Sequence, residues 1–200
     1  GAEAAMIASR SAIIGGFNLT SNVSAAARYH LPVGGTSGHA IVMAFEGQYE
    51  MKSEKDFWNT VQDQYSQVKL SGRDKTMISE RVAFATFAYA CPDHFVVVVD
   101  TYNVMESGLP NYIAVAKALK ESGYDNVGGI RIDSGNLAEL ATAARKTLDE
   151  HGLQDAKIIL SNDLDYDSIS EILEKTKSGT VNGFGVGTNL VTCAKNPSLG

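Results

Sequence analysis

Two hundred residues, 44% of them hydrophobic and 20% charged, make an ordinary globular composition with length enough for one sizeable core. A net charge of −6 and the lack of any Lys/Arg-rich stretch interleaved with aromatics exclude a basic nucleic-acid footprint. The longest apolar run, FVVVVD from Phe95, is too short for a bilayer and no signal-like segment precedes it, so a soluble, cytoplasmic chain without membrane or nucleic-acid partners is expected.

In chain order, GAEAAMIASRSAIIGGF reads as a helix already under way, with no capping residue or upstream turn, and LPVGGT at 31–36 reads as a strand. Residues 46–82 are charged and amide-rich, with Phe57 and Trp58 as the main apolar points; they predict an excursion holding one amphipathic helix and a loop at SGRDK, a surface insertion or oligomer contact. FVVVVDTY at 95–102 is a second strand, followed by a helix that Ser107 and Gly123 bracket around Ile113, Ala116 and Leu119. VGGIRIDS at 127–134 leads into a helix spaced on Leu137, Leu140, Ala141, Ala144 and Leu148, with Asp133 or Ser134 near its start. AKIILSND at 156–163 precedes a helix on Ile169, Ile172 and Leu173 with Asp165 or Asp167 near its start, and TVNGFGVGT at 180–188 is the last strand.

Several of these strands lack polar alternation and so are expected to be covered on both faces and paired in parallel. Five strands do not close an eight-stranded barrel, which leaves an open doubly wound α/β sheet or a large piece of a barrel. The end, TCAKNPSLG, has no helix or strand to tie it down, and one domain over 1–200, incomplete at both ends, is expected. Cys91 and Cys193 form neither a CxxC motif nor a disulfide framework and are expected to be core thiols in a reducing compartment.

Parallel α/β folds carry their active sites at the carboxyl ends of the strands, and here those ends read GGTSGH, VDTYN, RIDSG, SNDLD and FGVGT. Asp100, Arg131, Asp133, Ser134, Asn162, Asp163, Thr188 and His39 are therefore expected around one mouth. Gly185 and Gly187 would let backbone N–H groups approach a phosphate, with Thr188 adding a hydroxyl, although a plain glycine turn explains the segment equally well. His39 can serve as acid, base or nucleophile near neutral pH; His30, His94 and His151 lack such a context and read as structural. No HxH, HExxH or Cys/His cluster supports a protein-built metal site, whereas Asp133 could hold Mg²⁺ brought by a phosphorylated substrate.

ASRSAIIGGFNLTSNVSAA, PVGGTSGHAIVMAF, VVVVDTYNVMESGLPNYIAVAKAL, GGIRIDSGNLAEL, KIILSNDLD and FGVGTNLVT, taken in this order, resemble successive blocks of the nicotinate phosphoribosyltransferase family. The resemblance implies an α/β fold of the type II phosphoribosyltransferase kind, here a partial, irregular TIM-like barrel with mostly parallel strands. It implies an ATP-coupled enzyme of NAD biosynthesis and salvage, with Mg²⁺, that joins nicotinate to phosphoribosyl pyrophosphate, and a homodimer. His39 in GTSGH matches the histidine that takes the phosphoryl group, and Arg131 and Asp133 in RIDSG match a pair at the ribose phosphate. Ser134 and Gly135 match substrate- or phosphate-binding positions, Ser161 and Asn162 ribose-side positions, Gly185, Gly187 and Thr188 the phosphate loop, and Ser21 a polar position near the base pocket. Asn136 stands where family members usually carry Asp, which resembles nicotinamide-using relatives. Nicotinamide or quinolinate transfer, and a non-catalytic truncated family member, are the alternatives.

Overall fold

The computed structural model describes residues 1–68 and 77–192. The loop expected at SGRDK, Cys193 and the chain end therefore lie outside the described residues.

The chain divides into two compact units, Gly1–Gly35 with Gly187–Gly200, and Thr36–Val186. In the smaller unit, α1 (Ala2–Ile14) packs on α2 (Val23–Tyr29), whose N-cap Asn22 accepts a hydrogen bond from the Ala25 N–H. The strand expected at 31–36 is reduced to one parallel bridge, Thr20 with Val33. Pro32 has no N–H to give a ladder, and Gly34 and Gly35 that follow bring no side chain to pack, so pairing does not propagate. A short helix, α9 (Thr188–Thr192), belongs to the same unit.

The larger unit begins with the short helix α3 (His39–Ala44), then α4 (Lys55–Gln67) and α5 (Ile78–Ala90). Three βα repeats and a fourth strand follow: β1 (Val96–Val98), α6 (Leu109–Glu121), β2 (Gly129–Ile132), α7 (Leu137–Glu150), β3 (Lys157–Ser161), α8 (Tyr166–Lys175) and β4 (Gly183–Gly185). All pairs are parallel, in the order β1-β2-β3-β4, with Val97 opposite Ile130, Ile130 opposite Ile158 and Leu160 opposite Phe184. Among the described strands the order shows none of the reversal that marks a doubly wound sheet; it is the order of consecutive strands in a barrel.

Ile130, Ile132, Ile158 and Leu160 are fully buried and join Ile113, Leu119, Ala141 and Leu148 of the covering helices in one core. The alternate strand positions Val96, Arg131 and Ile159 are only half-buried, so the expected cover on both faces is uneven. Gly128 is required where it stands: its φ is +65° and a Cβ would lie 1.6 Å from the Phe95 carbonyl oxygen, so only glycine lets β2 begin that close to β1.

Three expectations change. The 46–82 segment is built into the core: Trp58 and Val61, one turn apart on α4, are buried against α6, and α5, which starts within the segment, buries Val82, Phe84 and Ala85. Cys91, expected inside, is exposed. The N-cap of α7 is Asn136, not Asp133 or Ser134: its side chain accepts from the Glu139 N–H at 3.4 Å. Asp165 caps α8 in a reciprocal box with Ser168.

Candidate active site

The carboxyl ends of β1 and β2 and the start of α3 meet at one carboxylate, Asp100, whose side chain is 3% exposed. Its Oδ1 lies 3.0 Å from His39 Nε2. Its Oδ2 accepts the Asp133 backbone N–H at 3.0 Å and the Ser134 hydroxyl at 2.5 Å. A carboxylate is acceptor-only, so the Nε2 that faces it carries a proton, and in the neutral imidazole the lone pair is then on Nδ1.

His39 reaches this position because the loop before it is sewn to β1. The Ser37 N–H donates to the Val96 carbonyl at 2.9 Å, and the Val98 N–H donates back to Ser37 Oγ at 3.0 Å. Ser37, itself buried, thus ties the loop to the edge of β1 through its own N–H and hydroxyl, and α3 starts two residues later with His39.

On β2, Arg131 and Asp133 point to the same side, two residues apart. Arg131 Nη1 donates to Thr36 Oγ1 at 2.9 Å, and Nη2 lies 3.6 Å from Asp133 Oδ2. Arg131 Nε is buried with no hydrogen-bond partner among the described residues, which leaves a cationic donor available to an incoming anion. Asp133 Oδ1 accepts the Ser161 hydroxyl at 2.5 Å from the end of β3. Asn162, next in chain, holds φ at +114°, and Asp163 holds +43°, a strained turn of the kind found at functional sites.

Of the residues singled out in the sequence, His39, Arg131, Asp133, Ser134 and Ser161 thus enter one network around Asp100. Gly135, Asn162 and Gly185 flank it on the same strand ends and are exposed. Ser21, Gly187 and Thr188 lie in the smaller unit, all exposed. Sequence reasoning placed Asp100 at a strand end without giving it a task, and it missed Ser37 and Thr36; the VDTY and GTSGH motifs held these residues, but their partners are far away in sequence. Asn136 has a local task as the N-cap of α7, which Asp would fill equally well. His151, read as structural, puts Nδ1 2.8 Å from the Thr147 carbonyl oxygen at the end of α7. Among the described residues no group of three or more His, Cys, Asp or Glu side chains could hold a metal ion.

The profile of the Nicotinate phosphoribosyltransferase (NAPRTase) family matches residues 2–198. The chain belongs to this family. It is 39% identical over 224 residues to nicotinate phosphoribosyltransferase 1 of Arabidopsis thaliana, covering 100% of this chain and 39% of the relative. It is 39% identical over 198 residues to nicotinate phosphoribosyltransferase of Bacillus subtilis (strain 168), covering 99% of this chain and 33% of the relative. The crystal structure of human nicotinic acid phosphoribosyltransferase superposes with a TM-score of 0.78 at 31% identity, over 90% of this chain and 39% of the human one. The fold is the type II phosphoribosyltransferase fold of these relatives. The chain spans roughly a third to two fifths of the length of these nicotinate phosphoribosyltransferases.

Proposed function

We propose that the protein to which these residues belong is a nicotinate phosphoribosyltransferase of NAD biosynthesis and salvage, forming nicotinate mononucleotide and pyrophosphate from nicotinate and phosphoribosyl pyrophosphate with coupled ATP hydrolysis. The observation that carries the reading is the Asp100 network, in which His39, Arg131, Asp133, Ser134 and Ser161 come together while Arg131 keeps a donor unsatisfied.

Family membership supplies the reaction, and the geometry supports these roles. His39 Nδ1, held with its lone pair free by the Nε2–H contact to Asp100, attacks the γ-phosphorus of ATP; the bond to the ADP oxygen breaks and a phosphohistidine forms. Its later hydrolysis returns orthophosphate and free imidazole. In the transfer step the nicotinate nitrogen bonds to the anomeric carbon as the C–O bond to pyrophosphate breaks. Asp133 stabilises the positive charge that develops on the ribose, and Arg131 neutralises phosphate oxygens. Within the larger unit Ser134 and Gly135 bind substrate or phosphate, Ser161 and Asn162 hold the ribose side and Gly185 the phosphate; the phosphate role of Gly187 and Thr188 and the base role of Ser21, in the smaller unit, rest on the family's motifs alone. Asp133 is the carboxylate that would hold Mg²⁺ carried in on the diphosphate, where the ion neutralises leaving-group charge; a lone carboxylate suits a substrate-borne ion better than a protein-built cage. A cytoplasmic homodimer completes the proposal. Among the described residues no helix is long and apolar enough to cross a membrane.

Chromatographic analysis of products from phosphoribosyl pyrophosphate, Mg²⁺ and an equal mixture of nicotinate, nicotinamide and quinolinate, with and without ATP, tests this reading. Nicotinate mononucleotide that rises with ATP is expected. Another mononucleotide would correct the base, and none would move the protein to the non-catalytic class. His39→Ala is expected to abolish the ATP stimulation and leave slow ATP-independent transfer; equal stimulation in mutant and wild type removes the phosphohistidine.

A further inference from the structure

Glu80, on the first turn of α5, is completely buried, an expensive place for a carboxyl group. Its Oε2 accepts the Ser107 hydroxyl at 2.6 Å and the Asn111 amide at 3.0 Å. Ser107 Oγ in turn accepts the Met77 N–H at 3.0 Å, and Asn111 also donates to the Met77 carbonyl at 3.0 Å, so the start of α5 is clasped to the turn that leads into α6. That turn, Val104–Gly108, is π-helical, with the Ser107 and Gly108 N–H groups both bonded to the Asn103 carbonyl. It presses directly on the sheet: a Cβ on Gly108 would lie 2.0 Å from the Val99 carbonyl oxygen and 2.7 Å from Val99 Cα. Val99 immediately precedes Asp100. α5 also packs against α3, which starts with His39.

We propose that Glu80 is a positioning residue: through Ser107 and the turn seated on Val99, it sets the Asp100 carboxylate against His39. Simple core filling would be served as well or better by an apolar side chain, because a buried carboxyl with an unsatisfied oxygen destabilises. Glu80 Oε1 is such an oxygen, buried with no partner among the described residues. Burial pushes the Glu80 carboxyl up to about 7, against the pull of the Ser107 and Asn111 hydrogen bonds, and the charge of Asp100 adds to the rise. The two acids therefore feel each other across the same turn.

The inference rests on the roles proposed for His39 and Asp100, and its test reads the histidine without any substrate. Imidazole ¹⁵N spectra of the natural protein, with His39 assigned from His39→Ala, give the population of the Nε2–H tautomer in wild type, Glu80→Ala, Glu80→Gln and Ser107→Ala. Glu80→Gln keeps an acceptor for Ser107 and Asn111 and is expected to keep the wild-type signal. Glu80→Ala and Ser107→Ala are expected to lose the Nε2–H preference, with kcat down about tenfold or more and KM for phosphoribosyl pyrophosphate within about twofold, as for a misplaced catalytic group. A folded Glu80→Ala protein with unchanged His39 resonances overturns the proposal; if that variant does not fold, unchanged resonances in Ser107→Ala do so. Altered resonances in a protein that makes no mononucleotide from any base would leave the positioning role standing and remove the transferase reading.

Discussion

Both oxygens of Asp100 already accept hydrogen bonds, from His39, Asp133 and Ser134. Asp100→Asn turns one of those acceptors into a donor facing another donor. ATP stimulation is expected to fall as far as in His39→Ala, with stability reduced by about 1–3 kcal/mol for the unsatisfied group; stimulation ratios and urea midpoints read the two effects separately. Glu80 behaves differently. Burial pushes its carboxyl from an ordinary 4.5 up to about 7, so between those values the native protein holds a proton that the unfolded chain has lost. Stability therefore declines as pH rises through this window, by an amount on the order of 3 kcal/mol, and levels off above it. Glu80→Gln removes this dependence. Its advantage over wild type in urea midpoint is expected to be small at pH 5 and to grow towards pH 8, and a constant difference across that range would contradict the assignment.

The βα repeats were legible in the sequence because their signals are local: the apolar runs at Phe95–Val99 and Ile158–Leu160, the helical spacing on Leu137, Ala141 and Leu148, and polar residues where each strand stops. The same locality exposed Arg131, Asp133 and Ser161. What stayed hidden is non-local. Asp100 meets a histidine 61 positions earlier, Ser37 completes an edge of β1 at the same separation, and Glu80 finds Ser107 27 positions on. Residues 46–82 misled because the charged and amide-rich face of α4 outnumbers its buried face, which consists of little more than Trp58 and Val61. Ser37→Ala tests the stitch between loop and strand. It strips the Val98 N–H of its acceptor in a buried place, so a loss of about 1–3 kcal/mol is expected by chemical denaturation, together with weaker ATP stimulation because His39 loses its mooring.

Taken whole, the chain is two compact units, of which Thr36–Val186 holds the sheet and the Asp100 network. Trp58, the single tryptophan, is 7% exposed in the core of that unit, so its emission reports the unit in which the network forms. Trp58→Ala is expected to cost about 3–5 kcal/mol by cavity formation, which would be measured by circular dichroism because the substitution removes the fluorophore. A loss below about 1 kcal/mol would return α4 to the status of a surface insertion.

The span of the network also has a consequence in time. Its first side chain, His39, and its last, Ser161, are separated by 122 residues. At ribosomal speeds of about 5–20 residues per second, His39 leaves the ribosome roughly 6–24 s before the serine that completes its surroundings. During synthesis the imidazole therefore exists first without its acid partner, then with Asp100, then with Asp133 and Ser134, and last with the Ser161 hydroxyl. Long-range pairings of this kind form late, after loop closure has been overcome, so the network is complete only with the later strands and a nascent chain carries a histidine that has not yet been given its orientation.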